Sequence, residues 1–262
     1  MNETIDQDYE QFKRLFFQLT GINLSLYKEE QMKRRLNSLR LRKEIPSFVD
    51  YFHQLKDNKH LLDEFLSRMT INVTEFFRNR SRWDILAGKI QALASSGKRL
   101  TVWSAACSTG EEPYSLALLL SKYMPQLNFS IVATDIDRRV LDQAITGAYL
   151  EKAIEPLNPD ERRQFTQKGM LYYVNPRLKQ TIQFLQHDLL RDPSPGTFDL
   201  IVCRNVLIYF TEDGKKKIYH KFSDALQPNG VLFVGSTEQI FNASTYHLRS
   251  TETFFYEKTN NE

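Results

Sequence analysis

The stretch WSAACSTGEEPYS, Trp103 to Ser115, follows the strand-like run Leu100-Thr101-Val102 and leads into the helical run Leu116-Ala117-Leu118-Leu119-Leu120. A strand, a tight loop and a helix in that order form the usual ligand cradle of an open α/β sheet. Loops that hold a pyrophosphate there carry several glycines, so that backbone amides come close to the phosphates and φ can turn positive. This loop has one glycine, Gly110, and places Ala106 and Ser108 where the first two glycines of a GxGxxG-like spacing would stand. It then opens its helix with Glu111 and Glu112. Carboxylates at a helix N-terminus compete with a phosphate for the same amides. The loop therefore suits a nucleotide with a positive amine and no phosphate, and S-adenosylmethionine is one.

Outward from the loop, LTVWSA, FSIVATD, FDLIVCRN and GVLFVGS read as short continuous apolar strands separated by amphipathic helices. That texture is the signature of a mostly parallel sheet covered on both faces, a doubly wound α/β fold. Asp135 ends the second strand, 25 residues after Gly110, where an acid can take both ribose hydroxyls at a separation of roughly 20 residues. FLQHDLL places Asp188 at a later strand end, suited to an adenine amino group. The run from Leu171 to Asp188 offers strands beyond the simple alternation and predicts a small antiparallel excursion. The terminal HLRSTETFFYEK predicts one antiparallel strand beside GVLFVGS.

Before about residue 72 the pattern is helical throughout. DYEQFKRLFFQLTG spaces Tyr9, Phe12, Leu15, Phe16 and Leu19 along one face and stops at Gly21, and SFVDYFHQLK and HLLDEFLSRM repeat the pattern. Between them lies KEEQMKRRLNSLRLRK, Lys28 to Lys43, with seven basic and two acidic residues. It carries +5 of a chain whose net charge is +3. Met32, Leu36 and Leu39 make its buried stripe, flanked by Lys33 with Arg40 on one side and Arg35 with Arg42 on the other. Such a patch points to an anionic partner: nucleic acid, a membrane surface or an acidic protein.

Composition narrows the class. With 41% hydrophobic residues the chain supplies a sizeable core. It has no run of about 18 apolar residues, and the acidic start MNETIDQDYE lacks the regions of a signal peptide. The expectation is a soluble cytoplasmic protein. Cys107 and Cys203 have no CxxC spacing and read as buried thiols, and the five histidines show no ligand spacing, so no metal is expected.

Together, NVTEFFR, WSAACSTGEEPYSLA, ATDID and CRNVLIYF, behind a basic helical segment, resemble the chemotaxis receptor methyltransferase (CheR) family over nearly the whole chain. The resemblance implies a helical docking domain over residues 1–71 and a linker over 72–81. It further implies a methyltransferase domain over 82–262 with a small β-subdomain at about 149–183. The implied activity is methyl transfer from S-adenosylmethionine to glutamate side chains on the cytoplasmic helices of chemoreceptors, leaving S-adenosylhomocysteine. Carried over position by position, Asn72, Thr74 and Arg78 of the linker contact the cofactor. So do Glu112 or its neighbour Glu111, Asp135, Asp188 with Leu189, and Asn205 with Val206. Where Asp188 stands, the family pattern has Asn.

A glutamate with a pKa of about 4.3 is already ionised at neutral pH, so its attack on a sulfonium methyl needs no general base. The absence of a catalytic dyad in the sequence fits that chemistry. Arg78 is expected to orient the substrate carboxylate and Tyr209 to wall the methyl site. Lys33, Arg34, Arg35, Arg40 and Arg42 are expected to dock glutamate-rich receptor helices, with the enzyme a monomer held near receptor clusters by protein contacts. A nucleic-acid methyltransferase is disfavoured because CRNVLIY lacks the proline-rich motif of the amino methylators and no aromatics interleave the basic run. A cofactor-sensing adaptor would share the binding residues and the docking helix.

Overall fold

The computed structural model describes residues 2–95 and 97–259. Four helices come first: α1 (Asn2–Thr20), α2 (Glu29–Arg42), α3 (Phe48–Asp57) and α4 (Lys59–Met69). α1 ends where Gly21, at φ +75°, donates its amide to the Phe17 carbonyl at 2.8 Å, the left-handed stop that glycine adopts without steric cost. The Asp8 carboxylate accepts from Phe48 N at 2.7 Å and Val49 N at 3.1 Å, so an acid of α1 satisfies the first amides of α3. The bundle closes on aromatic rings, with centroids 5.6 Å apart for Phe12 and Phe48 and 5.1 Å for Phe16 and Phe65. Leu19 departs from the expected stripe and is exposed, because the aromatic seam of α1 ends one turn earlier at Phe16.

After an extended linker come α5 (Arg80–Ala94), β1 (Leu100–Ala105), α6 (Glu111–Tyr123), β2 (Phe129–Asp135) and α7 (Arg138–Thr146). The chain continues through β3 (Ala148–Leu150), α8 (Glu151–Ile154), α9 (Pro159–Arg162), β4 (Phe165–Lys168), β5 (Leu171–Val174) and α10 (Pro176–Lys179). Last are β6 (Ile182–Gln186), β7 (Phe198–Cys203), α11 (Glu212–Ala225), β8 (Leu226–Val234), β9 (Leu248–Glu252) and β10 (Phe255–Lys258). The main sheet runs β6-β2-β1-β7-β8-β10-β9, and β3-β5-β4 forms a separate antiparallel sheet. From β6 to β8 neighbouring strands are parallel. The order reverses between β1 and β7, and in such sheets the crevice at the carboxyl ends beside that switch point takes the ligand.

Two details differ from the sequence reading. The terminal segment is a hairpin rather than one strand: β10 pairs antiparallel with β8, and β9 covers β10. Of the extra strands expected within residues 171–188, β5 joins the small antiparallel sheet as expected, whereas β6 runs parallel at the edge of the main one. The tight turns of α10 between them reverse the chain and allow both pairings.

Strand alternation sets what each face touches. Trp103, Ala105, Ile201, Cys203, Leu232 and Val234 share one continuous core with the four N-terminal helices. Val102, Leu200, Val202, Val231 and Phe233 face the other way, toward α5, α6 and the small sheet. The linker phenylalanines Phe76 and Phe77 belong to this second core: Phe76 meets Tyr149 at 4.9 Å and Phe77 meets Trp83 at 5.1 Å. They fasten the linker to the α/β unit and are not wedged between it and the helices. Among the described residues no helix is long and apolar enough to cross a membrane.

Candidate active site

A cleft opens at the carboxyl ends of β1, β2, β6 and β7, with α2 and the linker as its outer wall. Its floor is the loop after β1. Ala106 at φ +66° and Ser108 at φ +49° take the left-handed backbone that glycine would adopt freely. That conformation costs a non-glycine residue roughly 1–2 kcal/mol each. Hydrogen bonds hold it in place: Cys107 N donates to Thr134 O at 2.9 Å, and Ser108 N to the Asp135 carboxylate at 2.9 Å. Gly110 itself is at φ +97°, and a Cβ there would lie 2.9 Å from both Ala144 Cβ and Tyr149 Oη. Its glycine serves close packing against α7 and β3.

The two acids that open α6 part company. Glu112 lines the cleft and accepts from Ser104 Oγ at 2.8 Å. Burial pushes its carboxyl up to about 7, against the pull of nearby Arg204. Glu111 does not line the cleft: it accepts from Thr109 Oγ1 at 2.6 Å, and burial raises its carboxyl too. Successive helical residues point about 100° apart, so only one of the pair can face the cleft.

Asp135 lines the cleft while accepting from Ser108 N and Asp137 N. Burial pushes it up to about 6 despite those bonds. The carboxylate has about four lone-pair sites, so these amides do not exhaust its capacity to accept from a ligand. Asp188 and Leu189 lie beyond β6, where Asp188 Oδ1 accepts from Leu190 N at 2.8 Å. Asn205 and Val206 follow β7 on the same rim. Asn205, at φ +61°, donates its amide to Glu238, a buried carboxylate that also accepts from Gly235 N at 2.8 Å.

From the linker, Asn72, Thr74 and Arg78 all border the cleft. The Asn72 side-chain amide is already committed: Nδ2 donates to Asp137 at 3.0 Å, and the residue's carbonyl accepts from Ser108 Oγ. Arg78 Nη1 donates to the Val73 carbonyl at 3.1 Å, folding the linker on itself. Neither Asn72 nor Thr74 caps the following helix, whose N-cap is Asn79. Tyr209 sits on a 3-10 turn at the mouth, its carbonyl accepting from Lys28 N at 2.8 Å.

The basic residues of α2 divide by flank. Arg35, with Lys28 at the N-cap, lines the cleft; Arg42 is exposed on the same flank, and Arg34 is exposed on the outward face beside it. Lys33 and Arg40, also expected to dock the substrate, lie on the other flank. Lys33 lies over the Tyr9 ring at 5.5 Å, and Arg40 donates to Asn37 Oδ1 and the Ile45 carbonyl while covering Phe48. They are fastened to the bundle because both project on the α1 and α3 side of the buried stripe.

Two family models match the chain. The CheR methyltransferase all-alpha domain matches residues 7–70, and the CheR methyltransferase SAM binding domain matches residues 72–255. The chain belongs to the CheR methyltransferase family. Its relatives include a chemotaxis protein methyltransferase of Listeria innocua, 47% identical over 97% of this chain and 98% of the relative. One of Listeria monocytogenes is 46% identical over the same shares. That of Escherichia coli is 34% identical over 89% of this chain and 84% of the relative.

As in the family, the cofactor is S-adenosylmethionine, and the donor set fits it. Buried carboxylates at Glu112 and Asp135, both pushed up by burial, suit a ligand bearing an ammonium and ribose hydroxyls. Among the described residues no cluster of His, Cys, Asp or Glu could hold a metal. CheR-type motifs did not announce every wall of the cleft. Tyr27, Gln31 and Met32 come from the helical segment, and His187 and Arg204 each immediately precede an expected contact. The last two had a signal, adjacency to a strand end. Tyr27 had none, since its place follows from a bridge to Phe210 that only the fold creates.

Proposed function

We propose that this enzyme is a protein-glutamate O-methyltransferase acting on the cytoplasmic helices of methyl-accepting chemoreceptors. The supporting observation is one cleft with two walls of opposite character: buried acids Glu112 and Asp135 on the sheet side, and cationic Arg35 and Lys28 on the α2 side. The acidic wall would hold S-adenosylmethionine through Glu112, Asp135, Asp188, Leu189, Asn205 and Val206, with Thr74 and Arg78 closing over it. Asn72 would act through Asp137. The cationic wall would receive the acidic substrate, with Arg34 and Arg42 extending it.

When bound, S-adenosylmethionine supplies an electrophilic methyl on a sulfonium. The substrate glutamate arrives ionised, so the protein has no proton to remove. Its tasks are alignment and exclusion of water, and alignment alone contributes roughly 7–11 kcal/mol in favourable cases. Arg78 orients the incoming carboxylate, and Tyr209 walls the methyl site. In this reading residues 1–71 dock the receptor, 72–81 form the strap, and 82–262 carry the chemistry with an appended sheet at about 149–183. The enzyme works as a monomer in the cytoplasm, held at receptor clusters by protein contacts.

The test is incubation with methyl-labelled S-adenosylmethionine and receptor-containing membranes. Base-labile label on the receptor supports the proposal; label on RNA or DNA, or cofactor binding without transfer, defeats it. Unchanged turnover in both Arg78→Ala and Tyr209→Phe would remove those two roles.

A further inference from the structure

Glu238, on the loop that Gly235 opens after β8, is 5% exposed and does not line the cleft. Its Oε2 accepts from Asn205 N and from Gly235 N, each at 2.8 Å, and Oε1 accepts from Ile208 N at 3.3 Å. A buried carboxylate is costly unless several donors meet it. Here the donors are backbone amides of two loops, one after β7 and one after β8, so the acid ties loop to loop. Asn205 holds the left-handed backbone at φ +61°, and Ile208 lies in the 3-10 turn Leu207–Tyr209. The first amides of a helical turn have no partner within it, and Glu238 supplies one from outside. The approach is close enough to require glycine: a Cβ on Gly235 would press on Glu238 Oε2 and lie 2.8 Å from Asn205 N. The same loop reaches the linker, where Ser236 Oγ accepts from Asn79 Nδ2 at 3.3 Å, beside Arg78.

We propose that Glu238 is a positioning residue: its carboxylate pins the segment that carries Asn205, Val206 and Tyr209, and so fixes the wall of the cofactor and methyl site without touching the reacting atoms. The inference rests on the reading of those three residues as that wall. Its basis is the set of hydrogen bonds that one buried acid accepts from both ends of the segment's first turn. The far end is held elsewhere, since the Tyr209 carbonyl accepts from Lys28 N at 2.8 Å. Glu238 anchors the segment to the sheet, and Lys28 anchors it to the start of α2. With the sheet-side anchor released, the turn follows α2 and Tyr209 loses its register with the strand ends. Displacement reactions are sensitive to such drift, and a misplacement of about 1 Å can cost on the order of a hundredfold in rate.

The test compares wild type with Glu238→Gln, whose amide oxygen can keep the bonds of Oε2 while its NH2 opposes Ile208 N. Each is first shown to melt cooperatively, and all readings are taken well below the melting temperature. Hydrogen exchange of the ligand-free protein should quicken about tenfold in peptides covering 205–210 and hold within about twofold across β1 and β2. Calorimetric affinity for S-adenosylhomocysteine should fall about fivefold. Turnover on receptor-containing membranes should fall about tenfold, with the receptor KM held within about twofold. In a Tyr209→Ala background the same substitution should cost less than about threefold in kcat, because the side chain it positions is gone. Unchanged exchange over 205–210, or a lowered melting temperature with kcat and affinity at wild-type values, overturns the proposal. If Glu238→Gln does not fold, Gly235→Ala, which wedges the same contact apart, decides by the same readings. Wild-type turnover in Tyr209→Ala alone would instead defeat the reading of the site, whatever Glu238→Gln shows.

Discussion

Arg35 of α2 lies over the ring of Tyr209, its guanidinium carbon 5.8 Å from the centroid, while donating to the Met69 carbonyl. Helix α2 and the turn at the cleft mouth are thus in direct contact. Burial raises the Tyr209 hydroxyl's pKa, with Arg35 and Arg78 pulling it back, so the phenol stays neutral at the mouth.

Charge reversal beside the cleft should therefore weaken docking and spare the cofactor. Arg34→Glu and Arg42→Glu are expected to raise the receptor KM by about tenfold and flatten its salt dependence, since steering by exposed charge is screened. Affinity for S-adenosylhomocysteine should hold within about twofold, because neither residue lines its pocket. Initial rates at two ionic strengths, with a binding titration alongside, check both.

On the other flank the outcome inverts. Arg40→Ala should lower stability by about 1–2 kcal/mol through loss of its bonds to Asn37 and Ile45, leaving the receptor KM unchanged. Thermal melts and steady-state kinetics of the same preparation separate the two effects.

Gly110 and Gly169 both have positive φ, yet only the first has neighbours within reach of a Cβ. Gly169→Ala should cost about 1 kcal/mol of backbone strain. Gly110→Ala should cost about 2 kcal/mol more and weaken S-adenosylhomocysteine binding, as Ala144 and Tyr149 are displaced. Equal melting temperatures for the two variants would contradict this.

Protons should stabilise the ligand-free enzyme and oppose its ligand. The folded-state pKa values of Glu112, about 7, and Asp135, about 6, stand above those of unfolded carboxylates. The folded state therefore holds protons more tightly, and its stability falls as pH rises through about 4 to 7. Replacing Glu112 by Gln should remove a contribution on the order of 2–3 kcal/mol from that slope. Binding should show the opposite trend and strengthen over the same window as the acid ionises. Melting temperatures between pH 5 and pH 8, with and without S-adenosylhomocysteine, read both.

The doubly wound sheet and the floor of the cleft were legible because they depend on local pattern: apolar runs for β1, β2 and β7, and acids at strand ends for Asp135 and Asp188. The choice between Glu111 and Glu112 was not, since it turns on helix phase at the first residue of α6. The flanks of α2 were drawn correctly from periodicity, but which flank met α1 depended on long-range packing against Tyr9 and Phe48. Tyr27 was hidden for the same reason, and Arg204 looked like an ordinary charge beside a motif asparagine.

The core shared by Trp103, Ile201 and Val234 with the four N-terminal helices has a consequence for how such enzymes diversify. The helical segment is not a cassette that can be exchanged for another: a graft would strip one face of the sheet and the Tyr27–Phe210 bridge with it. Arg34, Ser38 and Arg42, by contrast, are exposed on α2. Substitutions there change the surface of the molecule without reopening the fold.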